Sequence, residues 1–158
     1  MRSPPSPRIG RVTSPSAGPA SRPAGALTPE SVRAQLARWV AGHWDPSLSL
    51  REWRRRLARS GWAVPSWPER WHGRGLPAWA DDLVAAELIR LGAVGTPVGS
   101  AMALAAPTIL AHGPDRARER FLPAILTGEE AWCQLFSEPG AGSDLAGLST
   151  SAVLDGDE

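Results

Sequence analysis

The chain has 158 residues, 42% hydrophobic and 21% charged, with a net charge of +1 at neutral pH. That is enough for one domain with its own core, and the charge balance makes no case for a nucleic acid or an acidic membrane surface as partner. The single cysteine, Cys133, excludes an internal disulfide and a multi-cysteine metal site and suits a reducing, cytoplasmic compartment; no apolar run reaches the length of a membrane span.

Residues 1–26 hold six prolines, four arginines and no acid. Without an apolar period nothing offsets the entropy of ordering them, and the segment is expected to be disordered. Order is expected from "LTPESVRAQLARWVAGHW". Thr28 suits an N-cap and Pro29 a first helical position, and Val32, Leu36, Trp39 and Val40 repeat at helical spacing. "SLSLREWRRRLARSGW" reads as a second helix, capped by Ser49, with Leu50, Trp53 and Leu57 as its apolar stripe and Gly61 at its left-handed end. Arg51, Arg54, Arg55 and Arg56 read as a solvated face of that helix.

"AVPSWPERWHGRGLP" is a loop by its Pro and Gly content, with His72 as an exposed loop residue. "AWADDLVAAELIRLG" returns to helix with Trp79, Leu83, Leu88 and Leu91 inward. "PVGSAMALAAPTILAHG" is apolar or small all round, which predicts a central buried helix, kinked or split at Pro107. "PDRARERFLPAIL" gives a further helix with Phe121, Leu122 and Leu126 inward and Gly128 as its stop. Seven of the eight tryptophans precede residue 80, and they are expected to pack these helices together. The period then changes: "EEAWCQLFSE" and "LSTSAVLDGDE" read as strands, the second reaching an Asp155-Gly156 turn signal. Cys133 is expected to be a small buried hydrophobe.

Between those strands lies "SEPGAGSDLAG". It fails as a dinucleotide fingerprint, because Leu145 stands where a third small residue is needed. It fails as a Walker loop, because the chain has no lysine. What remains is bare backbone at Gly140 and Gly142, hydroxyls at Ser137 and Ser143, and a bend set by Pro139. Such a turn can present successive N–H groups to an anion or a flat ligand. On composition alone it can equally be only a turn.

"WCQLFSEPGAGSDLAGLST" resembles the first signature of the acyl-CoA dehydrogenase family, and residues 28–158 resemble that family's N-terminal helical domain and the beginning of its middle β domain. The resemblance implies a mainly α chain: an orthogonal helical domain of about five helices over 27–128, then the first strands of a truncated β domain over 129–158, α+β in the complete protein. It implies bound FAD, an acyl-CoA substrate, an electron-transfer acceptor protein as partner, and a homo- or hetero-oligomer. Gln134, Leu135, Phe136, Ser137, Gly142 and Ser143 would meet FAD, and Ser143 would also touch the acyl-CoA. In such chemistry a carboxylate removes the α proton while the β hydrogen leaves as hydride to the flavin. The family's base belongs to a C-terminal helical part, so the chain is expected to be a fragment with no catalytic base of its own, inactive alone. Glu138 and Asp144 are read as bracing the turn. Trp71, His72 and Gly73 stand where relatives often carry Tyr-Gly-Gly. The rival reading is a non-catalytic helical interaction module that keeps the scaffold without the chemistry.

Overall fold

The computed structural model describes residues 27–151, 153 and 155–156. The segment 1–26, expected to be disordered, lies outside them. Helix α1 spans Pro29–His43. Its start is locally encoded: Thr28 has extended backbone, its hydroxyl accepts the Ser31 N–H at 3.2 Å, and the Ser31 hydroxyl accepts the Thr28 N–H at 3.0 Å. The pair satisfies donors that a helix otherwise leaves open. Thr28→Ala is expected to cost about 1 kcal/mol, read as a lower urea midpoint with an unchanged slope.

Val32, Leu36 and Val40, one per turn of α1, are buried. Helix α2, Leu50–Ser60, is capped by the Ser49 hydroxyl, which accepts from the Glu52 N–H at 3.2 Å, and ends at Gly61 with φ +78°. Trp53 and Leu57 of α2 are buried, and the Trp53 indole N–H donates to the Val94 carbonyl at 2.6 Å. Helix α3, Trp79–Arg90, buries Ala80, Val84 and Leu88. With Trp62 and Ala93, all of these side chains but Ala80 form the first core, in which α1 packs against α3.

A second core gathers Trp71, Ala101, Ala106, Leu122 and Ile125. It lies between helix α5, Asp115–Thr127, and helix α4, Ala106–His112. Helix α2 also packs on α5, and Ala58, Val64 and Leu126 join the two cores. The loop 61–78 is wound tightly around a 3₁₀ turn at Glu69–Trp71 and buries Trp71.

Several expectations are corrected. Leu50 and Trp79 are exposed, not inward. Each is the first residue of its helix, and the periodic stripe runs on to an end that the fold leaves outside the core. Of the α2 arginines, Arg54 is half-buried with its Nε enclosed, while the Arg55 and Arg56 side chains stay 42% and 40% exposed in ion pairs with Glu129 and Glu52. The run 97–112 is not a central helix: Val98 is 94% exposed and Leu104 46%, and only the small Ala101 and Ala106 are buried. Pro107 does interrupt it. Residues 101–105 form a π turn, closed by the Ala106 N–H on the Ala101 carbonyl, before α4 begins. A proline has no N–H for the preceding turn and crowds its carbonyl, and the wider turn absorbs both.

The chain is thus mainly helical, as expected. The strands expected at 129–138 and 148–158 do not form a ladder among the described residues; pairing is confined to one bridge between Glu138 and Ala141. An extended segment becomes a strand only against a partner edge, and no described residue supplies one.

Candidate functional site

After α5 the chain turns back along the helix. Trp132 packs edge-on against Phe121, ring centres 5.2 Å apart at 89°, and Glu130 pairs with Arg120 at 2.6 Å. These contacts pin the start of an extended strip, 131–137, whose remainder faces outward: Leu135 is 86% exposed and Phe136 64%. Trp132, Gln134 and Phe136 line a cleft of about 290 Å³, with Ser100, Leu104 and Thr108 of the π turn and α4 on its other wall. Leu135 and Phe136 border a second cleft of about 360 Å³ with Glu138, Leu148 and Thr150.

The strip ends in a four-residue turn. The Glu138 N–H donates to the Ala141 carbonyl at 3.0 Å and the Ala141 N–H returns to the Glu138 carbonyl at 3.1 Å, with Pro139 and Gly140 at the corner. Ala141 is buried and holds the turn to the chain. Beyond it the chain closes into a 3₁₀ turn at Leu145–Gly147.

Glu138 braces this turn. One carboxylate oxygen accepts the Ser149 N–H and hydroxyl, both at 3.0 Å; the other accepts the Thr150 N–H at 2.6 Å and the Thr150 hydroxyl. Donors aimed at the charged form, the Thr150 hydroxyl first and the Ser149 N–H next, lower its pKa to about 2. Because the folded value lies below the unfolded one, the tie is fully present above the ordinary glutamate range and is lost as pH falls toward 2. Glu138→Gln is expected to speed amide exchange at Ser149 and Thr150 at pH 7, with α1 unchanged. In the unaltered chain those two amides are expected to keep their protection down to about pH 3.

Gln134, Leu135, Phe136, Ser137, Gly142 and Ser143 are all exposed. The structure brings Gln134 and Phe136 together at one cleft, and Gly142 and Ser143 line neither. Sequence reasoning missed the opposite wall, Ser100, Leu104 and Thr108; the one signal pointing there was the break at Pro107. Cys133 is exposed and lines the first cleft, so the expected buried hydrophobe is corrected. On an unpaired strip, residues that a sheet would cover stay open. His72 is half-buried with left-handed backbone, not an exposed loop residue, because the loop 61–78 folds back on α2 and α5. Asp144 lies beside Gly147, where a β-carbon would come 3.2 Å from its carboxylate.

The glycines test whether a flat cofactor with phosphates suits this stretch. A β-carbon built on Gly140 or Gly142 meets nothing within 4 Å, and neither residue has left-handed backbone. Neither the turn nor its neighbours therefore demand glycine. Open space in front of bare backbone, flanked by the hydroxyls of Ser137 and Ser143, suits the close approach of a ligand. Among the described residues no group of His, Cys, Asp and Glu is placed to hold a metal, and no helix is long and apolar enough to cross a membrane.

A family model described as acyl-CoA dehydrogenase, N-terminal domain, matches residues 25–129. The chain is 43% identical over 146 residues to acyl-CoA dehydrogenase IpdE1 of Mycobacterium tuberculosis, covering 82% of this chain and 38% of that protein. Among solved structures it is similar to the ChsE4-ChsE5 complex of the same organism, with a TM-score of 0.54 and 34% identity over 87% of this chain and 38% of that one. It is also similar to the Tcur3481-Tcur3483 steroid ACAD, with a TM-score of 0.51 and 28% identity over 82% of this chain and 36% of that one. The chain thus spans under two fifths of the length of these relatives. A match over most of the described helices, joined to the Ser137–Asp144 signature, places the chain in the acyl-CoA dehydrogenase family.

Proposed function

We propose that this chain supplies the helical domain and part of the flavin wall of an FAD-dependent acyl-CoA dehydrogenase, which forms an α,β double bond in a CoA thioester. The observation that carries the reading is the pair Gly140 and Gly142, bare where nothing in the chain requires it, at the end of an exposed strip that lines a cleft. Bound FAD would supply the hydride acceptor for the β hydrogen. The strip 134–137 offers backbone N–H and carbonyl groups and the Ser137 hydroxyl to a flat ring system. Gly142 and Ser143 would offer an N–H and a hydroxyl to phosphate oxygens, and Ser143 would also meet the acyl-CoA thioester. The cleft between Gln134, Phe136 and the π turn would take the acyl group in a mostly apolar environment that keeps water away from the reacting carbons.

The base is assigned to none of these residues. Glu138, the carboxylate next to the strip, is engaged by Ser149 and Thr150 and held at a pKa of about 2, too weak a base to take a proton from carbon. Residues 129–158 are read as the beginning of the middle β domain. The similarity to a steroid ACAD supports an acyl group attached to a steroid-type ring system. Similarity to a two-protein complex supports a hetero-oligomer as the working form; an electron-transfer protein would take the electrons from the reduced flavin. Purified from its source with the chains that accompany it, the protein is expected to carry flavin whose absorbance a suitable acyl-CoA bleaches. A native assembly that is free of flavin and indifferent to CoA thioesters would favour the helical interaction module instead.

A further inference from the structure

The face of α2 that lies over the end of α5 is short of an anion. Two of its arginines are neutralised, Arg56 by Glu52 at 3.1 Å and Arg55 by Glu129 at 2.6 Å. Arg59 has no acid partner among the described residues, and Arg54 has its Nε buried with no hydrogen-bond partner. Only the Nε of Arg54 is enclosed, and Arg54 does not line the cleft beside this face, so the unpaired charge at the cleft is that of Arg59. The last carbonyls of α5 are the obvious resting place for such cations. Yet no α2 guanidinium donates to them among the described residues; Arg55 reaches past them to Glu129.

A cleft of about 210 Å³ opens here, lined by Arg55, Arg59, His72, Pro123, Thr127 and Glu129. Its far wall is unusual. His72 is the one non-glycine residue of the described chain with left-handed backbone, φ +68°, where glycine would sit without strain. Such a conformation persists where its surroundings hold it, and here the tightly wound loop puts the His72 side chain in the cleft wall. Burial pushes the imidazole pKa down, so at neutral pH one ring nitrogen donates and the other accepts. The Thr127 hydroxyl donates back into its own helix, to the Pro123 carbonyl at 2.9 Å, which leaves its oxygen as a further acceptor. The charges of Arg55 and Glu129 cancel, His72 is neutral, and Arg59 leaves one positive charge uncompensated.

We propose that this cleft binds a small free carboxylate, held between the Arg59 guanidinium and the His72 ring N–H. One uncompensated positive charge matches a monoanion; a phosphate dianion would meet the Glu129 carboxylate with excess charge. None of the lining residues belongs to the strip 134–137 or the turn after it, so the site is independent of the flavin reading.

Calorimetric titration of the chain with sodium propionate, against sodium phosphate and sodium chloride at matched ionic strength, tests this directly. Propionate is expected to bind more tightly than either salt, and Arg59→Met is expected to weaken it roughly tenfold, the loss of one charge-assisted hydrogen bond. His72→Gly is expected to raise the melting temperature by relieving the backbone while weakening propionate binding. Propionate no tighter than chloride, or His72→Gly binding it unchanged, overturns the site. Phosphate binding more tightly than propionate overturns the ligand class, and binding confined to a glutamate-containing peptide would make the cleft a protein-docking site.

Discussion

Gly73→Ala is expected to destabilise the helical domain by about 4 kcal/mol or more, the range reached only when backbone itself must move. A β-carbon at Gly73 would lie 1.9 Å from the Trp67 carbonyl oxygen and 2.3 Å from its carbon. That carbonyl cannot swing away, because it accepts the Gly75 N–H at 2.8 Å. Gly73 itself donates to the Pro68 carbonyl at 3.1 Å, and its own carbonyl lies where a β-carbon on Gly61 would come within 2.6 Å. Three backbone segments are thus stacked in contact. Relief requires the loop to open, which uncovers Trp62 and Trp71 and removes Arg74 from the Trp62 ring, 4.0 Å away, and from the Ser60 carbonyl. Thermal unfolding would show it as a fall of more than roughly 15 °C for a domain of this size. Gly42→Ala, in open space on α1, serves as the control and is expected to be neutral or stabilising.

The second large effect concerns ligand, not fold. In the native assembly, Gly142→Val is expected to lose FAD on gel filtration while its melting curve without FAD matches that of the unaltered protein. A β-carbon there meets nothing within 4 Å in this chain, so an approaching ligand is what the added isopropyl group is expected to obstruct. Ser143→Ala is expected to weaken FAD or acyl-CoA by roughly ten- to a hundredfold, the value of one hydrogen bond to a charged group. Stability held with flavin lost separates this outcome from a folding defect; flavin content unchanged in both variants would reduce the stretch to a turn.

Helix starts and stops were the most legible part of the sequence, because they are local chemistry. Thr28 with Pro29, Ser49, and Gly61 each act through neighbours within four residues, and each stands where its residue type predicts. The run 97–112 was illegible for a physical reason. Small apolar residues on every side carry no period, so nothing in the pattern says which face is buried, and Val98 and Leu104 fell on the open side. Helix α5 was legible despite Pro123: the apolar period through Phe121, Leu122 and Leu126 and the stop at Gly128 outweighed the proline, and the helix runs through it to Thr127. The strip 131–137 had the alternation of a strand, and pattern cannot supply the partner edge. At the candidate site the signature residues were legible as a motif, while the opposite wall at Ser100, Leu104 and Thr108 depends on how α4 packs on α5. That is a long-range fact which no short stretch encodes.

The central claim is that the strip and turn from Gln134 to Ser143 form a wall of the flavin site. Amide hydrogen exchange of the native assembly, stripped of flavin and then reloaded with FAD, tests it residue by residue. Exchange is expected to slow at Gln134–Ser137 and at Gly142 and Ser143 on reloading, with α1 and α3 unchanged. Exchange at those residues that is the same with and without FAD would contradict it.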